Sequence, residues 1–120
     1  MMELPEEVAA IRETFARFCD ERILPQAEAI DEAHEFPRDL FRQIGELGFF
    51  RMRYPERVGG LELGLLPFCL AVEELSRGSM ALAAACSMQA LMGTHFLNEL
   101  GSDDIVERLL IPALDGDKVG

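Results

Sequence analysis

Residues 80–100 read MALAAACSMQALMGTHFLNEL. No charged residue occurs before Glu99, although 28% of the 120-residue chain is charged. The run holds five alanines, one glycine (Gly93) and no proline. Alanine, leucine and methionine are strong helix formers, so the spacing predicts one long helix. At about 1.5 Å per residue it would run roughly 30 Å, the width of a small domain. A helix apolar nearly all round is expected to be buried nearly all round. A bilayer span is the competing reading, since about 20 apolar residues suffice to cross. Ser87, Gln89, Thr94, His95 and Asn98 interrupt the run, Ile, Val and Trp are missing, and no Lys/Arg cluster flanks it. Those features favour a central helix wrapped by other helices over a membrane span.

Small residues recur along this helix. Ala83, Ala84, Ser87, Leu91 and Thr94 follow the spacing of one helical stripe. Two readings of such a stripe stand side by side. Small side chains admit a neighbouring helix, or they leave a groove for a thin apolar ligand such as an acyl chain. Periodicity does not choose between them.

Outward from this stretch the chain reads as helix and turn. Pro5 opens a first helix to Leu24, with Glu6 and Glu7 in the turn where the dipole favours acids. Val8, Ile11, Phe15 and Phe18 form its apolar face. Pro25 is expected to kink it, and Gln26 to Ile30 resume it. Asp31 to Pro37 reads as a turn. Leu40, Phe41, Ile44 and Leu47 define a second helix, with Gly48 as its left-handed cap. The stretch from Phe49 to Gly64 carries Pro55, Gly59, Gly60 and Gly64 and shows no period. Leu66 to Arg77 gives a third helix, with Phe68, Ala71, Val72 and Leu75 inward. Within it, Glu73 and Glu74 are adjacent and do not face one another. Solvated surface, or an ion pair from one of them to Arg77, is expected. Ser102 reads as the N-cap of a last helix, with Asp103 and Asp104 in its first turn and Val106, Leu109 and Leu110 inward. Pro112 ends or tightens that helix, and Ala113 to Gly120 form a polar exit.

Composition narrows the function. Twenty-two acids against 11 bases leave a net charge of −11, which argues against nucleic acid as a partner. The apolar fraction of 49% is that of a globular domain, and one domain of this length can bury a core. Cys19, Cys69 and Cys86 stand far apart without a CxxC spacing. Buried free thiols in a reducing compartment are therefore expected. No basic segment precedes an apolar one at the start, so a cytoplasmic or reducing-matrix location without a targeting segment is expected. No glycine-rich phosphate loop, metal-spaced histidine pair or nucleophile motif is present in the sequence. His34 and His95 have no evident partner, and a hydrogen-bonded core position is expected for His95.

One set of segments, in order, resembles the N-terminal helical domain of the acyl-CoA dehydrogenases. Ile23-Leu24-Pro25-Gln26-Ala27 ends the first helix; Asp31 and Phe36-Pro37 follow. Next come IGELGF from Ile44, PERVGG from Pro55, and Val72-Glu73-Glu74-Leu75. After the small-residue helix stand Gly101-Ser102, Ile111-Pro112 and LDGD. Val58 occupies a place where the family usually has an aromatic, Arg57 one where an acid is common, and IP replaces LP; the subfamily stays open.

The resemblance implies an all-α domain of about five helices around the central apolar helix, an up-down bundle. It implies that residues 1–120 are one third of an FAD-dependent enzyme, without its flavin-binding β-domain and C-terminal helical domain. The implied reaction is α,β-desaturation of an acyl-CoA: a base takes the α-proton and the flavin takes the β-hydride. No catalytic residue is expected in this chain, no metal, and no FAD bound by it alone. Ala83, Ala84, Ser87 and Leu91 are the implied acyl-lining residues. Electron-transfer flavoprotein as acceptor and a homo-oligomeric parent come with the family. A related flavoprotein oxidase or monooxygenase, or a stand-alone acidic helical interaction module, are the alternatives.

Overall fold

The computed structural model describes residues 3–120. Among them are five helical rods and no strand. Helix α1 spans residues 6–33 and is composite. Its regular part, Glu6–Phe18, passes into a π-turn at Cys19–Ile23, a 3₁₀ turn at Leu24–Gln26 and a further α segment, Ala27–Ala33. Pro25 has no N–H to donate, so the hydrogen-bond ladder slips just ahead of it. The helix runs on through Asp31 to Ala33, where a turn was expected, and His34 closes it in the left-handed conformation at φ 52°. Helix α2 is Arg38–Glu46, with Leu40, Phe41 and Ile44 buried and Leu47 at the edge. Gly48 follows at φ 93°.

Helix α3 is Leu65–Gly78 and α4 is Met80–Leu100. Ser79 separates them in extended conformation, and its Oγ accepts from the Leu82 N–H at 3.2 Å. Helix α5 covers residues 103–114, capped by Ser102 Oγ, which accepts from the Ile105 N–H. A π-turn at Val106–Leu110 precedes Pro112 as the one at Cys19–Ile23 precedes Pro25. The same missing N–H accounts for both.

The longest packing interface joins α1 to α3, and α4 rests on α3. Glu74 is buried between the two arginines that bridge the first pair. Its carboxylate accepts from Arg12 Nε at 3.3 Å and from Arg77 Nε at 2.9 Å. Arg77 also reaches Asp20 at 3.0 Å. The expected ion pair to Arg77 is present, and Glu74 is the partner.

The irregular segment supplies much of the core. Phe49, Phe50, Met52, Tyr54 and Val58 are all buried. Phe49 meets Phe15, Phe50 and Phe68 at ring-centroid distances of 5.9, 5.6 and 5.0 Å. Aromatic side chains bury large areas and need no regular backbone to do so.

The domain is a slab of 40 × 39 × 18 Å. Helix axes pack about 8–10 Å apart, so this thickness holds two layers. A helix in a two-layer slab always keeps an open side. The expectation that α4 is wrapped all round is therefore corrected. Its apolar window is 33% buried, and Met80, Met88, Leu91, Met92, Phe96 and Leu100 face outward. By length and apolarity alone α4 would cross a bilayer; in this fold its inner face, with Leu82, Ala83, Cys86 and Ala90, belongs to the core.

An open apolar groove on helix α4

The outward face of α4 carries a feature suited to a ligand of apolar shape. Ala85, Met88, Met92 and Phe96 succeed one another at helical spacing and line a groove of about 450 Å³. Gln89, Gly93 and Gly120 complete the lining. No charged side chain is among them. A second cavity, of about 220 Å³, lies at the start of α4 between Ala81, Leu82, Ala85 and the Ile30–Pro37 turn. Asp31, His34 and Glu35 stand at its margin. Ala85 borders both spaces.

The groove takes its shape from a fault in the helix. Residues 89–93 form a π-turn, and Thr94 occupies the slack. Its hydroxyl donates to Gln89 O at 2.9 Å, with Ala90 O at 3.3 Å. Tyr54 Oη closes on the same place, 3.1 Å from Ala90 O. Single π-turns inside α-helices are frequent at functional sites.

The four expected lining residues separate. Ala84 and Leu91 are on the open side; Leu91 is 43% exposed. Ala83 is 2% exposed and is core. Ser87 is half-buried at the boundary, and its Oγ is buried without a hydrogen-bond partner. Thr94 is fully buried. The sequence stripe thus straddles the edge between core and open face. The face formed by Ala81, Ala85, Met88, Met92 and Phe96 was missed. Its spacings of three and four were readable, but small residues lie on both sides of this helix and the period alone does not rank the sides.

Two further expectations change. His95 is exposed and sits against the Phe96 ring, centroids 5.3 Å apart, so it is not a core residue. Cys69 is exposed, whereas Cys19 and Cys86 are buried. Burial pushes the Cys86 thiol up from 9.0 to about 12 and raises that of Cys19. Neither buried thiol is a nucleophile at neutral pH. Asp31, His34 and Glu35 are exposed.

The described residues therefore form an all-α slab with an uncharged groove along one helix. Residues 5–117 match the family model for the acyl-CoA dehydrogenase N-terminal domain. The chain belongs to the acyl-CoA dehydrogenases, through that domain. It is 64% identical over 118 residues to benzylmalonyl-CoA dehydrogenase of Aromatoleum aromaticum, an alignment covering 98% of this chain and 31% of that protein. It is 32% identical over 119 residues to the mitochondrial short-chain specific acyl-CoA dehydrogenase of Sus scrofa, covering 99% of this chain and 29% of that one. The structure of a glutaryl-CoA dehydrogenase from Mycobacterium smegmatis in complex with FADH2 superimposes with a TM-score of 0.90 at 25% identity, over 98% of this chain and 30% of that one. The chain thus spans about a third of the length of the proteins it matches.

Proposed function

We propose that these residues form the N-terminal wall of an FAD-dependent acyl-CoA dehydrogenase, with the open face of α4 laid against the acyl group of the thioester. The observation that carries this is the uncharged groove of Ala85, Met88, Met92 and Phe96. Binding sites for apolar groups are concave and lined in this way. Of the expected lining set, Ala84 and Leu91 are exposed on the same helix, Ala83 is core and Ser87 is half-buried.

The groove suits an acyl group and does not suit a flavin's diphosphate, since no cation lines it. FAD and the base that removes the α-proton are accordingly assigned to the rest of the parent chain: a flavin β-domain and a C-terminal helical domain. Within that enzyme this wall's part is to orient the acyl group and to exclude water from it.

The relative at 64% identity acts, by its name, on benzylmalonyl-CoA, and an aryl-bearing acyl-CoA is the substrate class proposed here. Met88, Met92 and Phe96 support it, because thioethers and rings make favourable contacts with an aromatic group. Electron-transfer flavoprotein as acceptor, a homo-oligomeric parent and a reducing cytoplasmic setting belong to the same reading.

The test is steady-state kinetics of the full-length enzyme with benzylmalonyl-CoA and with butyryl-CoA. Met92→Ala should weaken the aryl substrate about tenfold or more, since each buried methylene-sized group contributes about 0.8 kcal/mol. It should leave butyryl-CoA less affected. Equal kinetics of Met92→Ala and wild type on both substrates would refute the groove as the acyl site.

A further inference from the structure

The groove has two walls of different kinds. One is the side-chain face of α4. The other is the backbone of the C-terminal segment, whose Gly120 lies across Gly93. A Cβ on Gly93 would stand 3.3 Å from Gly120 Cα, and one on Gly120 would stand 3.1 Å from Gly93 Cα. The contact is glycine on glycine, and its spacing sets how far the groove opens at that end.

A single side chain fixes the second wall. Gln89 is 2% exposed and is the one polar side chain in the groove lining. Its Nε2 donates to Ala113 O at 3.1 Å and to Lys118 O at 2.7 Å. Its Oε1 accepts from the Gly120 N–H at 2.7 Å. An amide offers two donors and two acceptor sites, so three of the four hold residues 113–120. Residues up to 117 have anchors of their own. Asp117 N donates to Pro112 O at 3.0 Å, Arg42 pairs with Asp117 at 3.3 Å, and Arg51 pairs with Asp115. For Lys118 and Gly120, Gln89 is the anchor at the groove.

We propose that Gln89 is a specificity-determining positioning residue. Its amide holds the segment at 118–120 at one distance from α4 and so fixes the width of the acyl groove. The inference rests on the acyl reading above. It assigns Gln89 no contact with the reacting atoms; it acts through the wall it places. Loss of the amide removes the three hydrogen bonds that seat Ala113, Lys118 and Gly120 against α4, while the ion pairs of residues 115 and 117 remain. The groove then widens without the domain coming apart.

The experiment uses the full-length enzyme and three variants: Gln89→Met, Gln89→Glu and, for the acyl reading itself, Met92→Ala. Gln89→Met keeps volume and removes all three hydrogen bonds. Gln89→Glu keeps shape but at neutral pH turns a carboxylate toward two carbonyl oxygens. KM and kcat are measured on straight-chain, branched and aryl acyl-CoAs, with a melting temperature for each protein. Both Gln89 variants should raise KM for the aryl substrate about tenfold or more, because a displaced wall gives up apolar contact with the bound group. The loss should fall on KM rather than kcat, and the preference between aryl and straight-chain substrates should narrow. Wild-type KM values for Gln89→Met, with Met92→Ala shifted, would overturn the inference and leave the acyl groove standing. Unshifted KM in Met92→Ala as well would overturn both. If Gln89→Met fails to fold, Gly93→Ala, which pushes Gly120 outward, takes its place: the same narrowing supports the inference, and an unchanged preference overturns it.

Discussion

Tyr54 Oη lies 2.6 Å from Thr94 Oγ1, and both side chains are buried. The pair joins the irregular segment after α2 to the π-turn of α4. One consistent set of protons runs from Tyr54 to Thr94 and from Thr94 to Gln89 O. A carbonyl left over by the slipped ladder is thereby satisfied. Tyr54→Phe and Thr94→Val should each destabilise the domain by about 1 kcal/mol, because each removes the hydrogen bond between two buried hydroxyls. The double variant should cost less than the sum of the two, since both atoms leave together. Urea unfolding of the four proteins measures this; strict additivity would mean the contact contributes nothing.

That pair also marks the limit of what the sequence disclosed. The five helices, the kink at Pro25, the cap at Ser102 and the stop at Gly48 were legible because each is settled within a few residues. Tyr54, Phe49 and Phe50 were not legible as core, because a segment without a period gives no inward face. The open side of α4 was hidden for a different reason. An all-apolar helix announces burial, but burial within this chain depends on the thickness of the slab, which no local pattern carries. Ala83 and Ala84 are adjacent and equally small, yet one is core and the other is open.

Gly78 ends α3 where α3 meets α1. A Cβ there would stand 2.6 Å from Ile23 Cγ2 and 2.8 Å from Cys19 Sγ. Both neighbours are fully buried and have nowhere to move. Gly78→Ala should therefore destabilise by about 1–3 kcal/mol through overpacking. Differential scanning calorimetry against wild type reads the effect. An unchanged melting temperature would show that the α1–α3 contact yields freely.

The three thiols should divide by position. Cys69 is exposed, and Cys19 and Cys86 are buried. A thiol reagent at pH 8 should label Cys69 rapidly and the other two only on unfolding. The Cys86 thiol, held at about 12 by burial, also sets an alkaline limit. In the unfolded chain it ionises near its ordinary value, so unfolding releases a proton between that value and about 12. Its contribution is intact below pH 9 or so and falls as pH rises, by about 1.4 kcal/mol per unit at most. The difference in stability between wild type and Cys86→Ala, followed from pH 8 to about pH 11, isolates this thiol. A difference that does not change with pH would contradict the burial argument.

Ala85 and Ser87 are two positions apart on α4 and should behave oppositely when enlarged. Ala85 borders both the groove and the cavity beside the Phe36–Pro37 turn. A phenylalanine there would take up space in both. Ser87 has its Oγ buried at the edge of the core, so a phenylalanine there presses inward. In the full-length parent, Ala85→Phe should therefore discriminate by acyl size. Blocking four methylenes, at about 0.8 kcal/mol each, costs roughly 3 kcal/mol, a factor of about a hundred or more in binding. Short acyl groups that end before Ala85 should keep their rate. Ser87→Phe should instead lower the melting temperature, by overpacking of about 1–3 kcal/mol, with the same fractional loss at every chain length. The measurement is kcat/KM across a series of acyl-CoA lengths, with a melting curve for each protein. A length-dependent loss in Ser87→Phe with an unchanged melting temperature would return Ser87 to the acyl wall. A uniform loss in Ala85→Phe would take Ala85 out of it.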